Sequence, residues 1–321
     1  MHFRAGLFKL GSFFALTALL LLPAACKTQD MYPVNNGAVP EGNRILSIGV
    51  AADCQYTDKH GNFIVNRYYA RSKERLIQCM EELNALEPDF VVHLGDLIDR
   101  DYASYDEILP VFDSLNAPLY HVLGNHDYSV SEDRKDLVPA RLGVPAPYYD
   151  FVQNGWRFIV LDGNEISFFA SPEGSGEYEE ARAYFEENSI KSPKWNGAIG
   201  PDQLRWLEEV LERATAAEEQ VILFCHFPVF PDNVHNLWNA GELIELFERY
   251  PCVKAYMNGH NHAGNYAIKN GIHYVTFKGM VDTEDNSYAT ISVEEGSLNI
   301  IGVGRETDRT LQTSQDSGTA R

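Results

Sequence analysis

Short apolar runs alternate with longer amphipathic stretches along most of this chain, and the two periods separate strands from helices. Residues 45–50 (ILSIGV) read as a strand buried on both faces. A helix is expected over 67–86, where Tyr69, Leu76, Ile77, Met80 and Leu83 supply the apolar positions. Strand 90–94, helix 104–115 with Pro110 inside it, strand 119–123 and a strand pair at 148–152 and 156–161 follow. Gly200 and Pro201 mark the start of a helix over 202–214, because the fixed φ of proline suits the first helical position. Strand 221–225, helix 237–249 and strand 253–257 end the alternating part. Residues 266–268, 272–277, 288–293 and 298–303 read as a β meander. The order β-α-β-α-β, an insertion, β-α-β and a meander predicts an α/β fold of four layers, α/β/β/α, with two mixed sheets packed face to face.

The two ends of the chain read differently. Arg4 and Lys9 precede an apolar stretch at 13–22, and Pro23-Ala24-Ala25-Cys26 follows it. That stretch is about half of the ~20 residues needed to span a bilayer, so residues 1–25 are expected to be a signal peptide. Small residues ahead of a cysteine resemble the lipobox of bacterial lipoproteins, in which Cys26 would become the lipidated first residue. Pro23 stands where that pattern has an aliphatic residue, and simple cleavage near Ala25 is the alternative. The expected product is exported, to the periplasm or the cell surface, and meets a membrane only through a lipid anchor at Cys26. Residues 26–43 are polar and rich in Pro, Gly and Asn and read as a tether; 44–306 read as the folded domain and 307–321 as a flexible tail.

Composition narrows the partners. The chain has 321 residues, 45% of them apolar, and a formal charge of −20. So acidic a protein is a poor candidate for a nucleic-acid groove or an anionic membrane surface. A small anionic substrate stays open, since bound divalent cations invert the local sign. Cys54, Cys79, Cys225 and Cys252 are scattered and form no disulfide framework.

Five polar motifs sit where the apolar runs end. They are Asp53-Cys54-Gln55, Gly95-Asp96-Leu97-Ile98-Asp99, Gly124-Asn125-His126-Asp127, Cys225-His226-Phe227-Pro228 and Gly259-His260-Asn261-His262. Residues that follow strands line a common crevice in an α/β layer, so these side chains are expected to converge. Carboxylates, imidazoles and amides without a required thiolate are the ligand mix of a two-metal hydrolytic centre. Asp96 is the candidate bridging carboxylate, and Gly95 lets the backbone turn tightly beside it. Asn125 offers an amide oxygen that binds a hard cation without adding charge. His126 would face the substrate as general acid or as a stabiliser of leaving-group charge. Asp127 is expected to hold that imidazole in one tautomer. Asp99 either orients a ligand or caps the next helix. His226 offers one imidazole, and His260 and His262 offer two, spaced to reach different metals. Each motif alone reads as an ordinary turn; all five in order point to a metal site. His93, His121 and His235 are read as structural.

The string D-x-Q, GDxxD, GNHD, H and GHxH resembles the calcineurin-like metallophosphoesterase superfamily over residues 45–304. Carried over, the resemblance implies one metal held by Asp53, Gln55, Asp96 and His262, and a second held by Asp96, Asn125, His226 and His260. Gln55 stands where the superfamily usually has His, and a harder amide donor favours Mn²⁺ over Zn²⁺, with Fe also compatible. Gln55 is what the manganese-dependent ADP-ribose/CDP-alcohol diphosphatases have. Residues 52–56, 66–69, 195–207, 237–239 and 271–279 through 304–305 are similar to theirs as well. The resemblance implies hydrolysis of a nucleoside diphosphate conjugate at its pyrophosphate, with a small-molecule nucleotide as partner and no nucleic acid. Phe63 would stack on a nucleobase or plug its loop, and Arg67 would clamp a phosphate or stay solvated. Ile199 would line the substrate pocket or pack in the core. A phosphodiesterase or phosphomonoesterase of the same superfamily is the alternative enzyme, and a non-catalytic scaffold the alternative from another class. Asp99 stands where purple acid phosphatases place an iron-binding Tyr, which argues against that branch. The oligomeric state is left open.

Overall fold

The computed structural model describes residues 46–59 and 65–314. Its first half runs β1 (Leu46–Ala51), α1 (Ser72–Leu86), β2 (Phe90–His93), α2 (Ser104–Phe112), β3 (Leu119–His121), α3 (Val138–Arg141), β4 (Tyr149–Gln153) and β5 (Trp156–Val160). Next come β6 (Ile166–Ser167), α4 (Gly176–Glu187), β7 (Gly197–Ala198), α5 (Pro201–Ala216), β8 (Gln220–Phe224), α6 (Ala240–Glu248) and β9 (Val253–Asn258). The chain closes with β10 (Asn265–Lys269), β11 (Ile272–Thr276), β12 (Ser287–Glu294), β13 (Ser297–Gly304) and β14 (Arg309–Gln312). One six-stranded sheet has the order β14-β13-β12-β1-β2-β3 and the other β10-β11-β9-β8-β5-β4, while β6 and β7 pair separately. Both are mixed: β1, β2 and β3 are parallel, as are β5, β8, β9 and β11, and the flanking pairs are antiparallel.

Alternation along the strands decides which layer each side chain enters. Leu46, Ile48 and Val50 of β1 enter the core between the sheets, as do Ile222 and Phe224 of β8. Val221 and Leu223 point the other way, towards α5 and α6, where Leu207, Val210, Leu243 and Phe247 receive them. Val91 of β2 likewise meets Leu76, Met80, Tyr105 and Ile108 of α1 and α2. Phe90 and Phe158 join the sheets edge to face at 4.9 Å. The result is the expected α/β/β/α sandwich.

Four differences from the sequence reading have local causes. The helix expected from 67 begins at Ser72 after a 3-10 turn at Tyr69–Arg71. Residues 66–68 instead bridge to 281–283: Tyr68 N–H donates to Val281 C=O at 2.9 Å and Thr283 N–H to Asn66 C=O at 2.8 Å. The helix expected from 237 begins at Ala240, because Leu237 and Trp238 donate their amides to Pro228 and Gly197. α4, read as insertion, buries only Ala181 and so carries no apolar period; Ser175 Oγ caps it. The flexible tail assigned to 307–321 is corrected over its described part, since Arg309–Gln312 is an edge strand that buries Leu311, while 315–321 lie outside the described residues. The expectations for residues 1–43 and for Phe63 lie outside the described residues.

Candidate metal centre

The turns after β1, β2 and β3 of one sheet and after β8 and β9 of the other bring the five motifs into one cluster, as their side-chain contacts show. These turns are sharp. Asp53, Gln55, Asp96 and His260 all adopt left-handed backbone, with φ of 51°, 45°, 57° and 66°. Such conformations are costly for non-glycine residues and persist where the surroundings over-determine them, typically at functional sites. Two glycines make room. A Cβ on Gly124 would overlap the Asp96 carboxylate and amide, and one on Gly259 would lie 2.6 Å from Asp53 Oδ2.

Asp96 stands between two groups of donors. On one side Gln55 Nε2 is 3.0 Å from Asp96 Oδ2 and 3.4 Å from His262 Nε2, and His262 Nε2 is 3.4 Å from Asp53 Oδ1. On the other, His226 Nε2 is 3.3 Å from Asp96 Oδ2 and 3.1 Å from His260 Nδ1. Asp96, His226 and His260 each offer an atom within 4.8 Å of the others. Asn125 lines the same cleft, and the N–H of the next residue, His126, donates to Asp96 Oδ1 at 2.7 Å. All seven side chains are buried.

Two observations test whether these residues fit metal ions. Gln55 Oε1 and Asn125 Oδ1 are buried amide oxygens with no hydrogen-bond partner among the described residues. A buried unsatisfied acceptor costs about 1–3 kcal/mol, which a cation on each would remove. The imidazoles give the second sign. His226 Nδ1 is held by Leu94 C=O at 2.8 Å, His262 Nδ1 by Asp282 at 2.9 Å and His260 Nε2 by Asn196 Oδ1 at 3.0 Å. Each ring donates its outer N–H to an oxygen and turns the other nitrogen inward, the tautomer a ligand needs. The residues fit a pair of divalent cations.

The electrostatics agree. Burial opposes a charged His226 or His262, but Asp96 beside the first and Asp53 beside the second lift both to about 9. Burial resists ionisation of Asp96, yet His226 and His126 hold it well below the carboxylate range. His260, buried beside His226, is pushed far down. The carboxylates thus draw positive charge inward, and metal binding would displace the protons they recruit.

Around this cluster lies a cleft of about 740 Å³ lined by Arg67, Arg100, His126, Lys135, Phe168, Trp195 and His235, among others. His126 lines it with its Nδ1 2.7 Å from Asp99 Oδ1. Asp99 therefore orients that ring, and the role expected of Asp127 is corrected. Asp127 is fully buried and takes the amides of Asp96, Leu97 and Gly124, each at 2.9 Å, and the Tyr105 hydroxyl at 3.1 Å. Burial, and then the nearby Asp96, raise it to about 6. It ties the Asp96 turn to the Asn125 turn.

Arg67 lines the cleft and faces Asp282 at 3.8 Å. Ile199 does not reach the cleft: it packs under α5 with Leu207 and Leu211, and Asn239 Oδ1 accepts its amide. Asp282, Asn196, Trp195 and His235 were not assigned functional roles from the sequence. Asp282 and Asn196 lie 20 and 64 residues from the imidazoles they hold, so no motif spacing marks them. His235, read as structural, is half-buried in the cleft, and burial and then His262 lower its pKa.

Residues 46–264 match the model of the calcineurin-like phosphoesterase family. The chain is similar to the manganese-dependent ADP-ribose/CDP-alcohol diphosphatase of Xenopus tropicalis, with 30% identity covering 83% of this chain and 94% of the relative. It is 28% identical to the human protein of that name, over 85% of this chain and 94% of the relative. Among solved structures, a dimetal phosphatase from Danio rerio superposes with a TM-score of 0.75 and 24% identity, covering 84% of this chain and 99% of that one. A purple acid phosphatase from yellow lupin shares the fold at 14% identity and a TM-score of 0.51, covering 84% of this chain and 54% of that one.

Proposed function

The chain belongs to the calcineurin-like phosphoesterase family, and we propose that it is a two-metal hydrolase of nucleoside diphosphate conjugates. Its substrates are ADP-ribose and CDP-alcohols, cut at the pyrophosphate to a nucleoside monophosphate and a phosphorylated sugar or alcohol. The observation that carries the metal reading is the pair of buried amide oxygens, Gln55 Oε1 and Asn125 Oδ1, that no described residue bonds, in a donor cluster centred on Asp96. The names of the relatives support manganese and the substrate class.

Asp53, Gln55, Asp96 and His262 would hold one cation and Asp96, Asn125, His226 and His260 the other. Such a pair, when bound, supplies an activated water nucleophile and neutralises charge on the phosphoryl oxygens. The chain's own groups do the rest. His126, with Nδ1–H held by Asp99, leaves Nε2 to donate to the departing oxygen as the imidazolium. Arg67, steered by Asp282, offers a guanidinium to the phosphate that does not react. Strained turns at Asp53, Gln55, Asp96 and His260 keep the donors in place before substrate arrives. Export with a lipid anchor at Cys26 is the location we propose, on the sequence pattern of residues 1–26.

The test is a side-by-side assay with Mn²⁺ of ADP-ribose, CDP-choline, a cyclic nucleotide and an aryl phosphate. The reading expects the two diphosphates to have the highest kcat/KM. A preference for the cyclic nucleotide or the aryl ester would replace it with a phosphodiesterase or monoesterase.

A further inference from the structure

Trp195 and His235 line the cleft but belong to neither donor group. Their ring centroids are 5.1 Å apart, and they lie 5.1 and 5.5 Å from the His260 ring. This wall begins one ring away from the metal-donor cluster, where the group next to a bound phosphate would fall. It is also tied down. Asn196 Nδ2 donates to Val234 C=O and to Ser192 Oγ, both at 2.8 Å, while its Oδ1 faces His260. The segments bearing Trp195 and His235 are thus fixed to each other and to the metal centre, the preorganisation that a binding wall requires.

The chemistry of the wall is specific. Asn233 Oδ1 accepts the His235 backbone N–H at 3.0 Å and lies 2.7 Å from Nδ1. Nδ1 therefore carries the ring proton, and Nε2 of the neutral ring is a lone-pair acceptor. Among the described residues no group bonds Nε2. A lone pair there repels phosphate oxygens and finds no hydrogen-bond donor on a quaternary ammonium. It is satisfied by a hydroxyl donor, while the Trp195 face covers the C–H face of a ring.

We propose that Trp195 and His235 form a hydroxyl-reading subsite, which takes a sugar or polyol attached to the phosphate held at the centre. The inference rests on the phosphoesterase reading of that centre and names the hydroxyl-bearing part of its substrate, the leaving sugar or the nucleoside, as what this wall reads.

Calorimetric titration of the Mn²⁺-loaded protein with inorganic phosphate, phosphocholine, ribose 5-phosphate and AMP tests it. Wild-type protein should bind ribose 5-phosphate or AMP more tightly than phosphocholine. His235→Phe should weaken the hydroxylated ligand roughly fivefold relative to inorganic phosphate, the value of one neutral hydrogen bond. His235→Gln, which restores an acceptor, should recover part of that loss. A selective loss on ribose 5-phosphate places the hydroxyl on the leaving sugar, and one on AMP places it on the nucleoside. Equal losses on all four ligands, phosphate included, or no loss on any, would overturn the subsite. The readout is binding, so a protein that fails to cleave diphosphates yet shows this pattern loses the proposed substrate and keeps the wall.

Discussion

Asp127→Ala separates the two roles a carboxylate can play beside His126. In the structure Asp127 accepts three backbone amides at 2.9 Å and a tyrosine hydroxyl at 3.1 Å, all buried. Truncation leaves four donors without partners, at about 1–2 kcal/mol each when partly relaxed. Relief of the repulsion between Asp127 and Asp96 offsets part of that, so we expect a net loss of about 3 kcal/mol. For a domain of this size that is a fall of roughly 10 °C in Tm. Asp99→Asn should behave oppositely: kcat falls about 10- to 100-fold, as for other residues that orient a working imidazole, while Tm moves by roughly 2 °C at most. Paired thermal melts and kcat values on the two variants, both Mn²⁺-loaded, make the comparison. If Asp127→Ala melts like the wild type and loses only kcat, Asp127 is the partner of His126 and the assignment made here is wrong.

Three further predictions concern the metals and the anchor. Gln55→Ala and Asn125→Ala should each reduce bound manganese from two ions towards one per chain in elemental analysis, with an unchanged circular dichroism spectrum; two retained ions would remove both amides from the site. In metal-free protein His226 and His262 are held at about 9, so the folded state keeps protons that the unfolded chain releases. That stabilisation is present below about pH 6.5 and lost as pH rises through about 9. Tm of the metal-free protein should therefore fall between pH 6.5 and 9, and loading at pH 7.5 should release about two protons, seen as a buffer-dependent enthalpy in calorimetry. A buffer-independent enthalpy would contradict the coupling. Cys26→Ser should move the exported chain from the membrane fraction to the soluble one, and an unaltered distribution would exclude a lipid anchor there.

The strands and the donors at their ends were legible because both signals are local. Runs such as residues 90–93 and 220–224 have no competing period, and each is followed within a few residues by Asp96 or His226. What orients those donors was not legible. Asp99 was narrowed only to orienting a ligand or capping a helix, and Asp282 and Asn196 meet their imidazoles through packing alone. The Asn-His-Asp sequence invited a sequential partner for His126, but the Asp127 side chain turns into the core and takes backbone amides instead. Ile199 was left between pocket and core, since an apolar residue beside a glycine gives no sign of which face it joins, and it packs in the core. β14 escaped notice because Leu311 is its one apolar side chain.

Anomalous diffraction from crystals grown with Mn²⁺ would locate the cations themselves. Two manganese peaks are expected in the cleft, one beside Asp53, Gln55 and His262 and one beside Asn125, His226 and His260, with the Asp96 carboxylate touching both. A single peak, or peaks away from Asp96, would contradict that arrangement.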